Sequence, residues 1–401
     1  MTQPLEGVRI IDLTQVLAGP FATRQLADLG ADVIKIEQPG TGDPTRTWGP
    51  YFLNGHSAYF LGVNRNKKSV TLNLRHPKGQ EILHKLVSNA DVVVDNYRPA
   101  TAKRLGIAYE ALSAINPRII SCSLSGFGDV PGYESKPAFD SIVQAMGGAM
   151  SVTGKEGGPP AVMGFPLGDL GGGLALSQAV LAALYARSQT GKGQRAELSM
   201  LDMQVQFQAH LGQFHLVSGE EPGPIGNSHP HNVPVRAFLC RDGRYIQVHS
   251  PTNPSYQALA ATVAGELGGE FSALADDPRF ANPAERSKNR APLYELLEQG
   301  FILRDSSEWL VELDAKGAPA ARINSLGEAV SEPAVQARNM VVEINHPEAG
   351  VYRSAGNPIK FAGAEEKFDP APLLGQHTEE VLGALGYTQD FINELREEGV
   401  V

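Results

Sequence analysis

Apolar and polar positions alternate in blocks along the first third of the chain, and the blocks define the expected elements. Residues 8–13 form a short apolar run that ends at Asp12-Leu13-Thr14. Gly19-Pro20 then opens a helical spacing of Phe21, Leu26 and Leu29, Gly30 closes it, and residues 32–37 (DVIKIE) make a second strand. Strand, helix and strand in about thirty residues is a βαβ unit, which implies a parallel sheet. The pattern recurs: residues 70–74 read as extended, 79–90 as helical, 91–95 (DVVVD) as a buried strand and 118–123 (RIISCS) as another. Residues 174–186 are the most apolar stretch. They are too few to span a bilayer and include Ser177 and Gln178, so they read as a buried helix.

Between about 190 and 235 the pattern predicts loops rich in Gly, Pro and His. Residues 236–240 and 244–249 flank Arg241-Asp242-Gly243 as a hairpin, and helical segments then run to about 330. Residues 340–360 contain the strand-like VVEINH and a turn at Gly356-Asn357-Pro358. A chain of 401 residues exceeds the usual reach of one hydrophobic core. The expected organisation is a large α/β domain over 1–200, a smaller α+β domain over 225–330, and a return to the large domain over 335–401.

Composition narrows the function. With 42% hydrophobic and 19% charged residues the balance is that of a globular protein. A net charge of −10 argues against nucleic acid or an anionic membrane as the main partner. Cys122 and Cys240 have no metal-ligand spacing, and residues 1–13 show no signal-peptide pattern, so a cytoplasmic location is expected.

The βαβ start invites a dinucleotide reading, with Glu37 where a ribose-binding acid would stand. The connection TQVLAGP carries one glycine where that fingerprint needs three, so Glu37 is expected to be a solvated strand end. Arg65, Lys67, Lys68 and Arg75 fall within residues 64–75, and Arg98, Lys103 and Arg104 follow the DVVVD strand. Either group could meet phosphates beyond the strand ends, or could form a solvated face. His229 and His231 lack further ligands, and no metal is expected. In residues 164–173 (GFPLGDLGGG), Asp169 stands among glycines just before the apolar helix. Taken alone it reads as a helix cap. The glycines add a second reading, in which backbone amides approach a ligand and the carboxylate serves as an acyl nucleophile.

PLEGVRIIDLTQVLAGPFATRQLADLGADVIKIEQPG, NRNKKSVTLNL, the NYRP at 96–99 and the GDLGGG at 168–173 together resemble the class III, or CaiB/BaiF, coenzyme A transferases. The resemblance implies a Rossmann-like large domain formed from both chain ends, a smaller α+β domain, and a homodimer whose chains interlock like rings. It implies Asp169 as the nucleophile and coenzyme A thioesters as substrates, with no permanently bound cofactor. Val16, Leu72, Asn96, Arg104 and Met200 match positions that line the coenzyme A site of relatives, Lys136 stands close to a lysine of some members, and Arg98 and Phe139 are further candidate contacts. Gln38 stands where some relatives have an arginine near the adenine.

Related racemases place a histidine where this chain has Phe139, which cannot exchange a proton. Leu17 replaces the glutamine of oxalate-specific members, Trp48 resembles an oxalate-site residue, and its RTWGP context is shared with succinyl-CoA:dicarboxylate members. The expected activity is transfer of coenzyme A from an acyl-CoA such as succinyl-CoA to a dicarboxylate. An acyl-CoA racemase or isomerase, or a non-catalytic acyl-CoA-binding protein, are the alternatives.

Overall fold

The computed structural model describes residues 3–401, which divide into two compact units. Residues 3–150, 162–220 and 333–401 form the first, and residues 151–161 and 221–332 form the second.

The first unit is built on six strands: β1 (Arg9–Asp12), β2 (Asp32–Glu37), β3 (Lys67–Thr71), β4 (Val92–Asp95), β5 (Ile120–Ser125) and β6 (Arg195–Ser199). All neighbours pair in parallel, in the order β3-β2-β1-β4-β5-β6. Period-two alternation sends side chains to two cores. Ile11, Ile34 and Val93 join Leu83 and Leu86 on one face, together with Leu382 and Leu395 from the C-terminal helices Thr378–Ala384 and Gln389–Glu397. Ile10, Val33, Val92 and Val94 join Ala22, Leu26, Leu176 and Val180 on the other.

Three sequence expectations shift. The third strand lies at Lys67–Thr71 rather than 70–74, because Val70 is buried in the sheet while Leu72 and Leu74 continue past its end. Residues 190–235 contain β6 and helices Met200–Phe207 and Ala209–Ser218, where loops were expected. The apolar helix spans Leu167–Thr190, starting seven residues before Leu174. At 24 residues it is long and apolar enough to cross a membrane, yet Leu176, Val180 and Ala183 sit in the core.

The glycines ahead of Leu174 explain how this helix packs. A Cβ on Gly173 would stand 2.5 Å from the Ala18 carbonyl oxygen, one on Gly171 2.1 Å from the Phe207 ring, and one on Gly172 3.1 Å from Leu124. The run therefore lies inside helix contacts. This corrects the expectation that its glycines leave backbone open to a ligand.

The second unit carries an antiparallel sheet in which β8 (Tyr245–His249) lies between β7 (Val235–Leu239) and β9 (Ala320–Arg322). Phe238, Tyr256, Phe280, Phe301 and Trp309 fill its core, and the Trp309 indole donates to the Phe301 carbonyl at 2.9 Å. Buried Arg286 donates to the carbonyls of Val233, Phe280 and Pro251.

Gly173→Ala is expected to lower stability by about 1–3 kcal/mol in urea denaturation, because its methyl group meets a backbone oxygen that cannot step aside. Gly383→Ala, at a helical position with nothing within 4 Å of the new carbon, should be neutral or slightly stabilising.

Candidate active site

A doubly wound sheet of order 3-2-1-4-5-6 reverses direction between its first and fourth strands, and the loops leaving those two carboxyl ends part to form a crevice. Here they are residues 13–17 after β1 and 96–98 after β4. Asn96 ties them together: its Oδ1 accepts the Gln15 N–H at 2.9 Å and its Nδ2 donates to the Gln15 carbonyl at 2.8 Å.

Asp169 reaches the crevice from the first turn of Leu167–Thr190. It is not the cap of that helix, whose preceding residue is Pro166. Asp140 supplies the hydrogen bonds instead, its Oδ1 accepting the Gly168 N–H at 2.7 Å and the Asp169 N–H at 3.4 Å. Gln144 holds Asp140 Oδ2 at 2.6 Å. Among the described residues no donor meets the Asp169 carboxylate. Burial, and then the charge of Asp140, push its pKa up to about 6. Tyr59 is raised to about 12, chiefly by burial and then by Asp169 and Asp43, so its hydroxyl stays neutral.

Two cavities of about 480 Å³ each share Gln15 as a wall. The first brings Asp169 together with Val16, Asn96, Arg98, Lys136, Phe139 and Met200. The second holds Gln38, Leu72 and Arg104, and adds Arg75. Asp169 and the nine candidate coenzyme A contacts taken from the family resemblance thus line one or the other. Arg98 donates to the Ser135 carbonyl at 3.1 Å, and Lys136 Nζ stands 4.9 Å from the centre of the Tyr133 ring. Sequence reasoning missed Gln15, Tyr59 and Asp140 as site residues. Asp140 had a signal, since an acid at a helix start can serve a neighbouring backbone amide, but its partner lies 28 residues away.

The basic segment is mostly not a phosphate site. Arg65 is buried and grips Asp28 with two nitrogens at 2.9 and 2.7 Å. Lys67 is buried against Asp12 at 3.0 Å, and Lys68 pairs with Glu380 at 3.0 Å. Entry of β3 into the sheet carries these charges to buried or local acids, and of the four only Arg75 lines either of the two cavities. Glu37 is likewise not solvated: it is buried, and Arg46 binds both its oxygens at 2.7 and 2.8 Å. The His229 Nδ1 accepts the N–H groups of His231 and Asn232, which makes this histidine pair part of a hydrogen-bonded turn.

Residues 5–378 match the model of CoA-transferase family III. The chain is 39% identical over 403 residues to a succinyl-CoA:glutarate CoA-transferase of Mus musculus, covering all of this chain and 90% of that protein. It is also 39% identical to an acetyl-CoA:oxalate CoA-transferase of Acetobacter aceti, over 93% of each. Among solved structures, a CaiB/BaiF family protein from Brucella suis superposes with a TM-score of 0.85 at 35% identity, over 96% of this chain and all of that one.

The raised pKa has a consequence for stability. The Asp169 carboxyl rises from an ordinary 3.8 to about 6 in the fold, so the native state takes up a proton before the unfolded chain does. Its charge therefore costs stability in full above pH 6, and the cost is relieved as pH falls toward 4. Asp169→Asn is expected to gain about 2 kcal/mol at pH 7.5 in denaturant titrations. That advantage should shrink as pH falls through 6.

Proposed function

The chain belongs to CoA-transferase family III, and on that premise we propose that Asp169 carries coenzyme A from an acyl-CoA to a dicarboxylate through covalent intermediates. The observation that carries this reading is a partly buried carboxylate with no hydrogen-bond donor on its oxygens among the described residues, standing in a cavity that shares Gln15 with a second one lined by Arg75 and Arg104.

The ionised Asp169 attacks the thioester carbonyl of the donor. The carbon–sulfur bond breaks, leaving an acyl–aspartyl anhydride and the coenzyme A thiolate. The thiolate then attacks the Asp169 carbonyl and expels the donor acid, which gives an aspartyl-CoA thioester. The acceptor carboxylate attacks this thioester, forming a second anhydride and freeing the thiolate again. Attack of the thiolate on the acceptor's acyl carbon yields the new acyl-CoA and returns the Asp169 carboxylate. No net proton or electron is exchanged.

Burial serves the chemistry, because a carboxylate stripped of water and donors is the stronger nucleophile, and one with a pKa of about 6 is still ionised at neutral pH. Arg75 and Arg104 supply cations for the phosphates of coenzyme A, with Val16, Leu72, Asn96 and Met200 along its length. Gln38 lines the same cavity without a charge, which leaves Arg75 and Arg104 as its two arginines. Phe139 is exposed beside Asp140 and brings no exchangeable proton to the α-carbon, which favours transfer over racemisation. Leu17, where a glutamine would suit oxalate, favours an acceptor such as succinate or glutarate over oxalate, although relatives named for glutarate and for oxalate are equally similar to this chain. The functional particle in this reading is the interlocked homodimer, acting in the cytoplasm. Exposed Leu174, Leu181 and Tyr185 offer an apolar face on the Asp169 helix for the second copy.

Incubation with succinyl-CoA followed by borohydride or hydroxylamine is expected to modify Asp169 and no other acid, as read by peptide mass spectrometry. Transfer to glutarate should fall below detection in Asp169→Ala. In the unaltered protein kcat/KM should drop tenfold per pH unit below about 6 as the nucleophile is protonated. Equal transfer by Asp169→Ala would contradict the mechanism.

A further inference from the structure

The loop that closes the crevice holds a strained residue. Val16 has a φ of +70°, and the only other non-glycine residues with positive φ among those described are Asn54, Asn66 and Asn339. Asparagine tolerates that region. For a branched side chain it costs about 1–3 kcal/mol and persists only where the surroundings impose it.

Two tethers impose it here. Asn96 grips Gln15 in both directions, as described. On the other side, the Val16 N–H points to Asp43, at 3.4 Å from Oδ1 and 3.3 Å from Oδ2. Asp43 is itself fixed. Its Oδ1 accepts the Thr45 hydroxyl at 2.7 Å and the Thr45 N–H at 2.9 Å, and its own N–H donates to Glu37 Oε2 at 2.9 Å. Lys35 pairs with Asp43 Oδ2 at 2.9 Å and also donates to the Thr14 carbonyl at 2.7 Å. One ammonium therefore binds both the base of the loop and its anchor. Burial by itself would push the Asp43 pKa up, but Lys35 and the Thr45 bonds hold it below the ordinary carboxylate range.

A buried ion pair contributes little net stability relative to apolar packing, so stability alone does not account for this one. Neither Lys35 nor Asp43 lines the Asp169 cavity, whereas Gln15, Val16, Leu17 and Ala18 all do. We propose that Lys35 and Asp43 are a positioning pair for the transfer reaction: by locking Val16 in its left-handed conformation they fix the wall formed by residues 15–18 against which the acyl group meets Asp169. The proposal rests on the function given above.

The test replaces the pair with apolar residues of similar size, Lys35→Met with Asp43→Leu, a change that buried ion pairs tolerate without loss of folding. The expected result is a fall in kcat of about ten- to a hundredfold, with KM for the acyl-CoA changed less than threefold and an unchanged circular-dichroism spectrum. Adding Val16→Gly to the double variant should restore part of kcat, since glycine adopts the left-handed conformation without a tether. A loss explained by weakened folding alone would show no such rescue. If the double variant does not fold, Asp43→Asn is measured against the same criteria. A kcat within threefold of the unaltered protein's, a loss confined to KM, or a kcat that Val16→Gly does not raise overturns the proposal. Absence of transfer by the unaltered protein would instead overturn the functional reading, so the two failures are distinguishable.

Discussion

The reversal of strand order between Arg9–Asp12 and Val92–Asp95 is the constraint on which the site depends. To either side of that line successive strands step outward, so the loops leaving the two central carboxyl ends have no common helix to cover them. The gap is bridged by polar groups: Asn96 spans it above, and the charges of Asp12, Lys35, Asp43 and Lys67 fill it below. With four ionised side chains under one crevice, each must be paired, and the pairs fix the loop backbone that the cavities use as walls.

Asp169 comes to this crevice through a second constraint, the close approach of its helix to Ala18. Where Gly173 meets the Ala18 carbonyl, no side chain fits, and the first turn of Leu167–Thr190 is thereby carried to the mouth of the gap. Asp140 then takes the amides of Gly168 and Asp169. That leaves the Asp169 carboxylate near a helix N-terminus, which favours its charge, but also near a second carboxylate and partly out of water, which oppose it. The opposition wins, and the pKa of about 6 follows. A carboxylate ionised at neutral pH and partly removed from water results from packing and from one neighbouring charge.

Much of this was legible in the sequence. Period-two runs such as DVIKIE and DVVVD located strands because both faces of each are buried, and Asp169 stood out through its glycines. The reason attached to those glycines was wrong, however, since a run that frees backbone for a ligand and one that admits a neighbouring helix look alike in one dimension. The basic segment misled for a related cause. Arg65 and Lys67 look like surface charge until Asp28 and Asp12, dozens of residues earlier, are brought against them. The strain at Val16 gave no signal, because the tether that imposes it comes from Asp43, in another loop. Pairings set by tertiary structure were the part the sequence withheld.

The claim that transfer passes through Asp169 anhydrides is tested most directly by following oxygen. When the acceptor carboxylate carries heavy oxygen, the bridging atom of the second anhydride comes from the acceptor and leaves with Asp169 once the thiolate takes the acyl group. Peptide mass spectrometry after a single turnover should therefore find one heavy oxygen on the peptide containing Asp169, and none on any other acid. Turnover that leaves this peptide unlabelled would contradict the account.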